Sequence, residues 1–260
     1  MNKLGYLLNK SLVLFLVSLL AIPSCIFDNY PEEEGSGMII VSLDGLTTRA
    51  AGDPLFEGDA TIKTVRILVF IGDYMEKNVL FTSDQTEFVN PFVLEVVTGN
   101  KEVYVVANET PFLTSKLEAI TTQSKLMEVM ADEITSTLTA PTVPLVMTGK
   151  NTSPVTVAKV EDTQRNVADI TLTRIAAKIN LNFKKDTDVD VKITKVSLVK
   201  NTGKTTIWDS KAIIEDQTYW THSIDRRTDP IVLSTDASSL DAIYVYENLT
   251  SGNKENATRL

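Results

Sequence analysis

The sequence predicts an all-β protein with a short helical excursion, folded as a β-sandwich. Three observations carry this. Residues 61–70, "TIKTVRILVF", alternate with Val65, Ile67 and Val69 on one face, the period of a strand. Residues 92–108, "FVLEVVTGNKEVYVVAN", are two β-rich runs around Gly99-Asn100, a strong hairpin turn pair. Only 111–134 changes period. There Leu117, Ile120, Leu126, Val129 and Met130 fall at roughly helical spacing, and Thr121, Thr122 and Ser124 divide the stretch into two short helices. Strands in two sheets joined by a helical crossover make a sandwich.

The first 24 residues read as an export signal. Lys3 and Lys10 form a positive region, and 11–22, "SLVLFLVSLLAI", is an apolar run. A membrane span needs about 20 residues, so this run is short for a span and right for a signal peptide. It ends at "AIPSC", where the chain's one cysteine, Cys25, follows Ile22 and Ser24 in the manner of a bacterial lipobox. Pro23 departs from the usual small or β-branched choice. An exported protein with an unpaired thiol is unusual, and lipidation at Cys25 accounts for it. Residues 26–37, "IFDNYPEEEGSG", hold proline, three glutamates and Gly-Ser-Gly, so they predict a solvated tether.

A strand follows at 38–43, with Ile39, Val41 and Leu43 on one face and Met38 and Ile40 on the other. Just beyond it, "TTRAAGD" offers Arg49 followed by Ala50, an accessible site for a trypsin-like protease. A cut between Arg49 and Ala50 would separate this core-quality strand, and Cys25 with it, from everything downstream.

Further strands are predicted in "PLVMTGK" and "SPVTVAKV", with a turn from Gly149 between them. In 166–183, Ile170 and Leu172 are apolar at even positions, whereas Ile175, Ala177, Ile179, Leu181 and Phe183 are apolar at odd ones. A strand that changes parity must bulge or change partners; the switch near Arg174 is read as the passage from a first domain, 50–173, to a second, 174–260. Strands at 189–199, 205–208, 231–234 and 242–247 complete the expectation, and the end at "ENATRL" leaves that second sheet without closing strands.

Composition narrows the chemistry. Net charge is −9, which argues against nucleic acid as a partner, since that calls for a basic surface. One cysteine and one histidine exclude a disulfide framework and a His/Cys metal centre. No nucleophile elbow, phosphate loop or dinucleotide fingerprint is present, and no cofactor is expected. The chain is read as a non-enzyme. His222, in "WTHSIDRRTD", is read as a surface or hydrogen-bonded histidine in a polar loop. Asp186, Asp188 and Asp190 would share one strand face and could bind a cation; a solvated face opposite Val189 and Val191 is the simpler account. Trp208 and Trp220 are read as core, with a sugar platform as the alternative.

The order of these segments resembles a known family. A lipobox with Cys25, an alternating strand, "TTRAAGD", "VRILVF", "GNKEVYVVAN", "VPLVMTG", "ADITLTRIAAKI" and "IYVYENLT" follow one another as in the fimbrillins, the type V pilus subunits of Bacteroidales. The resemblance runs from about residue 17 to the end. It implies two transthyretin-like β-sandwich domains, the second incomplete in this chain, and lipoprotein export to the outer membrane. It also implies cleavage after Arg49 by an arginine-specific protease, with 25–49 as lipidated tether and removable first strand. Ile39, Val41 and Leu43 would then be the side chains lost from the core, and assembly with other fimbrial subunits by donor-strand exchange would follow, supporting adhesion at the cell surface. Members of this family carry further C-terminal strands, including the donor, which this chain lacks. Two alternatives are an uncleaved, lipid-anchored anchor or tip accessory subunit and a surface glycan-binding lipoprotein using Trp208, Trp220 and tyrosines.

Overall fold

The computed structural model describes residues 35–44, 61–158, 166–208, 213–250, 252 and 254–260. The first strand, β1 (Ser36–Asp44), lies between β4 (Phe92–Val97) and β9 (Asn166–Thr171) in a three-stranded sheet. It runs antiparallel to β4 and parallel to β9. The facing sheet is larger. Its order is β10 (Thr173–Arg174), β7 (Met147–Lys150), β5 (Gly99–Ala107), β2 (Thr64–Ile71) and β3 (Tyr74–Thr82), with β8 (Val155–Val157) also paired to β5.

β2 holds this sheet at its centre. Its run of six residues from Val65 to Phe70 is buried on both faces, as expected of a strand covered on two sides. Val65, Ile67 and Val69 face the three-stranded sheet and form the sandwich core with Val103, Val105, Ile39 and Val41. Leu68 and Phe70 face the other way, into a second core beneath the helices. Arg66 shares that second face and is 3% exposed. Its guanidinium forms a bidentate pair with Glu109, at 2.6 and 2.8 Å, and donates to Asn78 Oδ1 at 2.7 Å. A buried guanidinium requires such partners.

Glu109 leads directly into α1 (Pro111–Glu118), so this ion pair fixes where the helix starts. Thr110 caps α1 and Pro111 occupies its first turn, positions that suit both residues. Leu113 and Leu117 are its buried residues. Thr122, expected only to interrupt the helical run, is the N-cap of α2 (Gln123–Met127). The two short helices of the sequence expectation are therefore present, each started by a threonine.

Several expected connections differ. Gly99-Asn100 does not close a hairpin: β4 pairs with β1, whereas β5 pairs with β2, β7 and β8 in the opposite sheet. The segment is a corner between sheets, and Gly99 takes φ +115° there, a conformation other residues avoid. β7 and β8 likewise do not pair with each other; both lie along β5, and Gly149 sits within β7. The unforeseen β3 forms a hairpin with β2 across Gly72-Asp73. Near Arg174 the chain does change partners: β9 pairs with β1, β10 with β7, and β11 (Ala176–Phe183) with β17 (Ser238–Tyr246).

The C-terminal part consists of short antiparallel pairs. Besides β11–β17 these are β12 (Lys192–Ile193) with β16 (Ile231–Val232), and β13 (Lys195–Thr202) with β15 (Tyr219–Asp225). β14 (Thr205–Thr206) pairs with β6 (Met130–Ala131). The strand expected over 189–199 is thus divided between β12 and β13. A small cluster of Leu198, Ile243 and Val245 lies here, while Tyr246, Ile207 and Trp208 join the core beneath the helices. Among the described residues no helix is long and apolar enough to cross a membrane.

Replacing Arg66 with Ala would leave the Glu109 carboxylate, 2% exposed, buried without its cation. We expect a loss of about 3–5 kcal/mol in chemical denaturation. Arg66→Ala with Glu109→Ala together should cost much less than twice that; additive losses would show that the pair does not act as a unit.

Candidate functional site

The candidate site is the slot that β1 occupies. Its inward side chains stand in register with residues of β4 and β9, all but Asn166 apolar. Ile39 lies opposite Leu94 on β4 and Asn166 on β9; Val41 lies between Phe92 and Ala168; Leu43 is beside Ile170. Ile39 and Val41 are fully buried and Leu43 is 2% exposed. Burying three such side chains contributes at most about 5–9 kcal/mol. Phe81 and Phe88 pack on Phe92 with ring centroids 5.0 and 5.8 Å away, closing the Leu43 end.

The polar contacts to β1 are made to its backbone. The Asn90 amide brackets Leu43, accepting from its N–H at 3.0 Å and donating to its carbonyl at 3.1 Å. Asn166 Nδ2 donates to the Met38 carbonyl at 3.0 Å, and the Thr98 N–H donates to the Gly35 carbonyl at 3.1 Å. These contacts read a strand's path and not its side chains. Gly37 sits where β1 passes the residues just after β8: a Cβ there would lie 2.3 Å from the Ala158 carbonyl oxygen. The last two residues assigned to the tether, Ser36 and Gly37, therefore belong to the strand.

The corner beside the start of β1 holds a buried ion pair. Lys101, fully buried, stands 3.1 Å from Glu76 and donates to the Thr98 carbonyl at 3.2 Å, while Glu76 accepts from the Val97 N–H. The pair holds the β4-to-β5 corner against which Gly35 is bonded.

Of the residues singled out from sequence, Ile39, Val41 and Leu43 come together as one inward face. Cys25, Arg49 and Ala50 lie outside the described residues. Asn90, Asn166, Phe92 and Ala168 are added by the structure; an asparagine opening a strand carries no local mark of its partner.

The other candidates lie elsewhere. Asp186, Asp188 and Asp190 do not share a strand face: they fall in the connection from β11 to β12, and Val189 is 67% exposed. Among the described residues no group of three or more His, Cys, Asp or Glu is placed to hold a metal ion. His222 is not in a loop but on β15, where Nδ1 lies 2.9 Å from Thr139 Oγ1. Burial holds its imidazole below the ordinary range. Trp208 is core, packed edge-on to Tyr104 with its indole N–H donating to the Leu126 carbonyl at 2.9 Å. Trp220 is half-buried against the same cluster, so the two do not make an exposed sugar platform.

This sandwich, with helices over the outer face of its larger sheet, is similar to solved fimbrial proteins. The tip fimbrial protein Mfa3 of Porphyromonas gingivalis superposes with a TM-score of 0.54 at 15% identity, over 85% of this chain and 75% of that one. A fimbrilin (FimA) from P. gingivalis W83 gives 0.51 at 16% identity, over 83% and 68%. The model of the major fimbrial subunit protein (FimA) family matches residues 40–207, and the chain belongs to that family. The major fimbrium subunit FimC of P. gingivalis is 32% identical over 94% of this chain. The chain spans 54% of the length of that relative.

Val41→Asp puts a charge at the centre of the slot, between Phe92 and Ala168. It should lower stability by more than about 4 kcal/mol or prevent folding, whereas Met38→Asp, on the outer face, should change it by less than about 1 kcal/mol. Similar losses in the two variants, measured by urea denaturation, would refute the one-sided burial of β1.

Proposed function

We propose that the protein is a structural subunit of a cell-surface fimbrium, assembled by exchange of its first strand for a strand of another subunit. The observation that carries this reading is the place of β1: it is the first strand among the described residues, central in its sheet, and held by backbone contacts and three aliphatic side chains. Taking it out would leave β4 and β9 with unpaired backbone facing an apolar slot, the condition that recruits a strand from another chain. Family membership supports the same role, as does the subunit role in the name of FimC.

In this reading the precursor is exported as a lipoprotein and held at the outer membrane through Cys25. An arginine-specific protease then cuts between Arg49 and Ala50, five residues past the end of β1 at Asp44. One cut frees the body from its lipid and severs the covalent tie of β1. Residues 50–173 and 174–260 are the two sandwich domains of this proposal, and the partners are other fimbrial subunits.

The test is exchange. Full-length chain cleaved at Arg49 should take up a fluorescent peptide of sequence 36–44, and Arg49→Ala, resistant to the protease, should not. Uptake by a peptide with Asp in place of Val41 should be at least about tenfold weaker. No uptake after complete cleavage, or equal uptake by the two peptides, would overturn the exchange mechanism.

The anchor has its own test. Cys25→Ala should abolish metabolic labelling with a fatty-acid analogue and move the protein out of the membrane fraction. Two or more acyl chains give stable anchoring, whereas one gives marginal binding. Unchanged labelling in the variant would end the lipoprotein assignment.

A further inference from the structure

A cavity of about 190 Å³ lies where the start of α1, the 138–146 segment and the ends of β11 and β17 meet. Phe112, Leu138, Pro141 and Pro144 form apolar walls, and Glu133 and Tyr246 are its polar members. Tyr246 donates to Glu133 Oε1 at 2.6 Å. Glu133 Oε2 has no hydrogen-bond partner, although the residue is only 6% exposed. The neighbouring ammonium does not serve it: Lys116 is engaged with Asp132 at 2.6 Å and with the Met130 carbonyl at 2.9 Å.

A carboxylate oxygen buried without a donor is costly, and the group that best relieves it is a cation with N–H donors. The walls add a second requirement, an apolar stem behind the charge. Volume sets the third. An engineered apolar cavity of about 150 Å³ holds one benzene, so this one has room for a short chain. Phe112, 61% exposed, stands at the rim, where an aromatic face also favours a passing cation.

We propose that this cavity binds a primary ammonium on a short aliphatic stem, with Glu133 Oε2 as the acceptor. Tyr246 is a positioning residue: its hydroxyl occupies Oε1 and leaves Oε2 for the ligand. The site shares no lining residue with the β1 slot and does not depend on strand exchange.

Titration of the full chain, followed by 1H–15N shifts at Val146, Ile175 and Tyr246, uses n-butylammonium, neutral n-butanol and Nα-acetyl-lysine N-methylamide as probes. n-Butylammonium should saturate with a Kd on the order of 1 mM, as befits so few heavy atoms, and n-butanol should bind at least about tenfold more weakly. Glu133→Gln, which keeps an acceptor for Tyr246, should weaken n-butylammonium at least about tenfold. Leu138→Phe, which fills the cavity and leaves Glu133 intact, should do the same. Equal binding of the lysine derivative identifies a protein side chain as the natural occupant, and binding of n-butylammonium alone identifies a free amine. No saturable shift with either amine, or binding unaffected by Glu133→Gln, overturns the proposal and leaves the cavity to water.

Discussion

The burial of β1 between β4 and β9 is the constraint on which the sandwich depends. Ile39, Val41 and Leu43 fill one side of the main core, and the strand's backbone satisfies polar groups on both neighbours. Without it, β4 and β9 would have no common partner, because they pair with each other nowhere. A central strand supplied by residues 36–44 is therefore a structural necessity for this sheet, and in the proposed function it is also the part that is exchanged.

The second constraint is the sheet that serves two cores. β2 and β5 present aliphatic residues to the sandwich on one face and to the helices on the other. Arg66 is a buried charge on the helix-facing side of β2, and its pairing with Glu109 ties the sheet to the beginning of α1. Asp73 performs a similar task at the other end of the β2–β3 hairpin, accepting from the backbone and hydroxyl of Ser124 at 2.8 Å each; those bonds hold its carboxyl below the usual carboxylate range. Polar groups thus register the helical layer on the sheet, while the slot for β1 is formed on the opposite face. Loss of β1 would leave the helical layer's own anchors intact.

The chemistry of the slot suits replacement of one strand by another. Asparagine amides recognise carbonyl and N–H groups that every strand supplies, and apolar subsites accept aliphatic residues at alternate positions. In the proposed exchange, selectivity would rest on the spacing of inward residues and on Ala168, the small neighbour of Val41. Net charge of −9 adds a general repulsion between copies, which opposes unspecific association.

Local patterns were sufficient for much of this. Alternation in 38–43 marked the inward face of β1, the change of period in 111–134 marked two helices, and the ordered segments pointed to the family. Each rests on residues close in sequence, whose period follows from backbone geometry. Partner choice did not. Gly99-Asn100 has the chemistry of a tight turn, but whether a turn joins two strands of one sheet or crosses to another depends on residues far along the chain. β15 has no strong strand signal in the sequence, because its alternation is written in half-buried residues, Trp220, His222 and Ile224. Asn90 and Asn166 could not be identified as clamps, because a side-chain amide acquires that role only when a distant backbone arrives opposite it. The sequence by itself determined β1, β2, the two short helices and the side chains of β1 that must be buried, since these follow from periodicity and the hydrophobic effect. Only the tertiary structure decided that the first strand is the central one, since pairing across more than a hundred residues leaves no local trace.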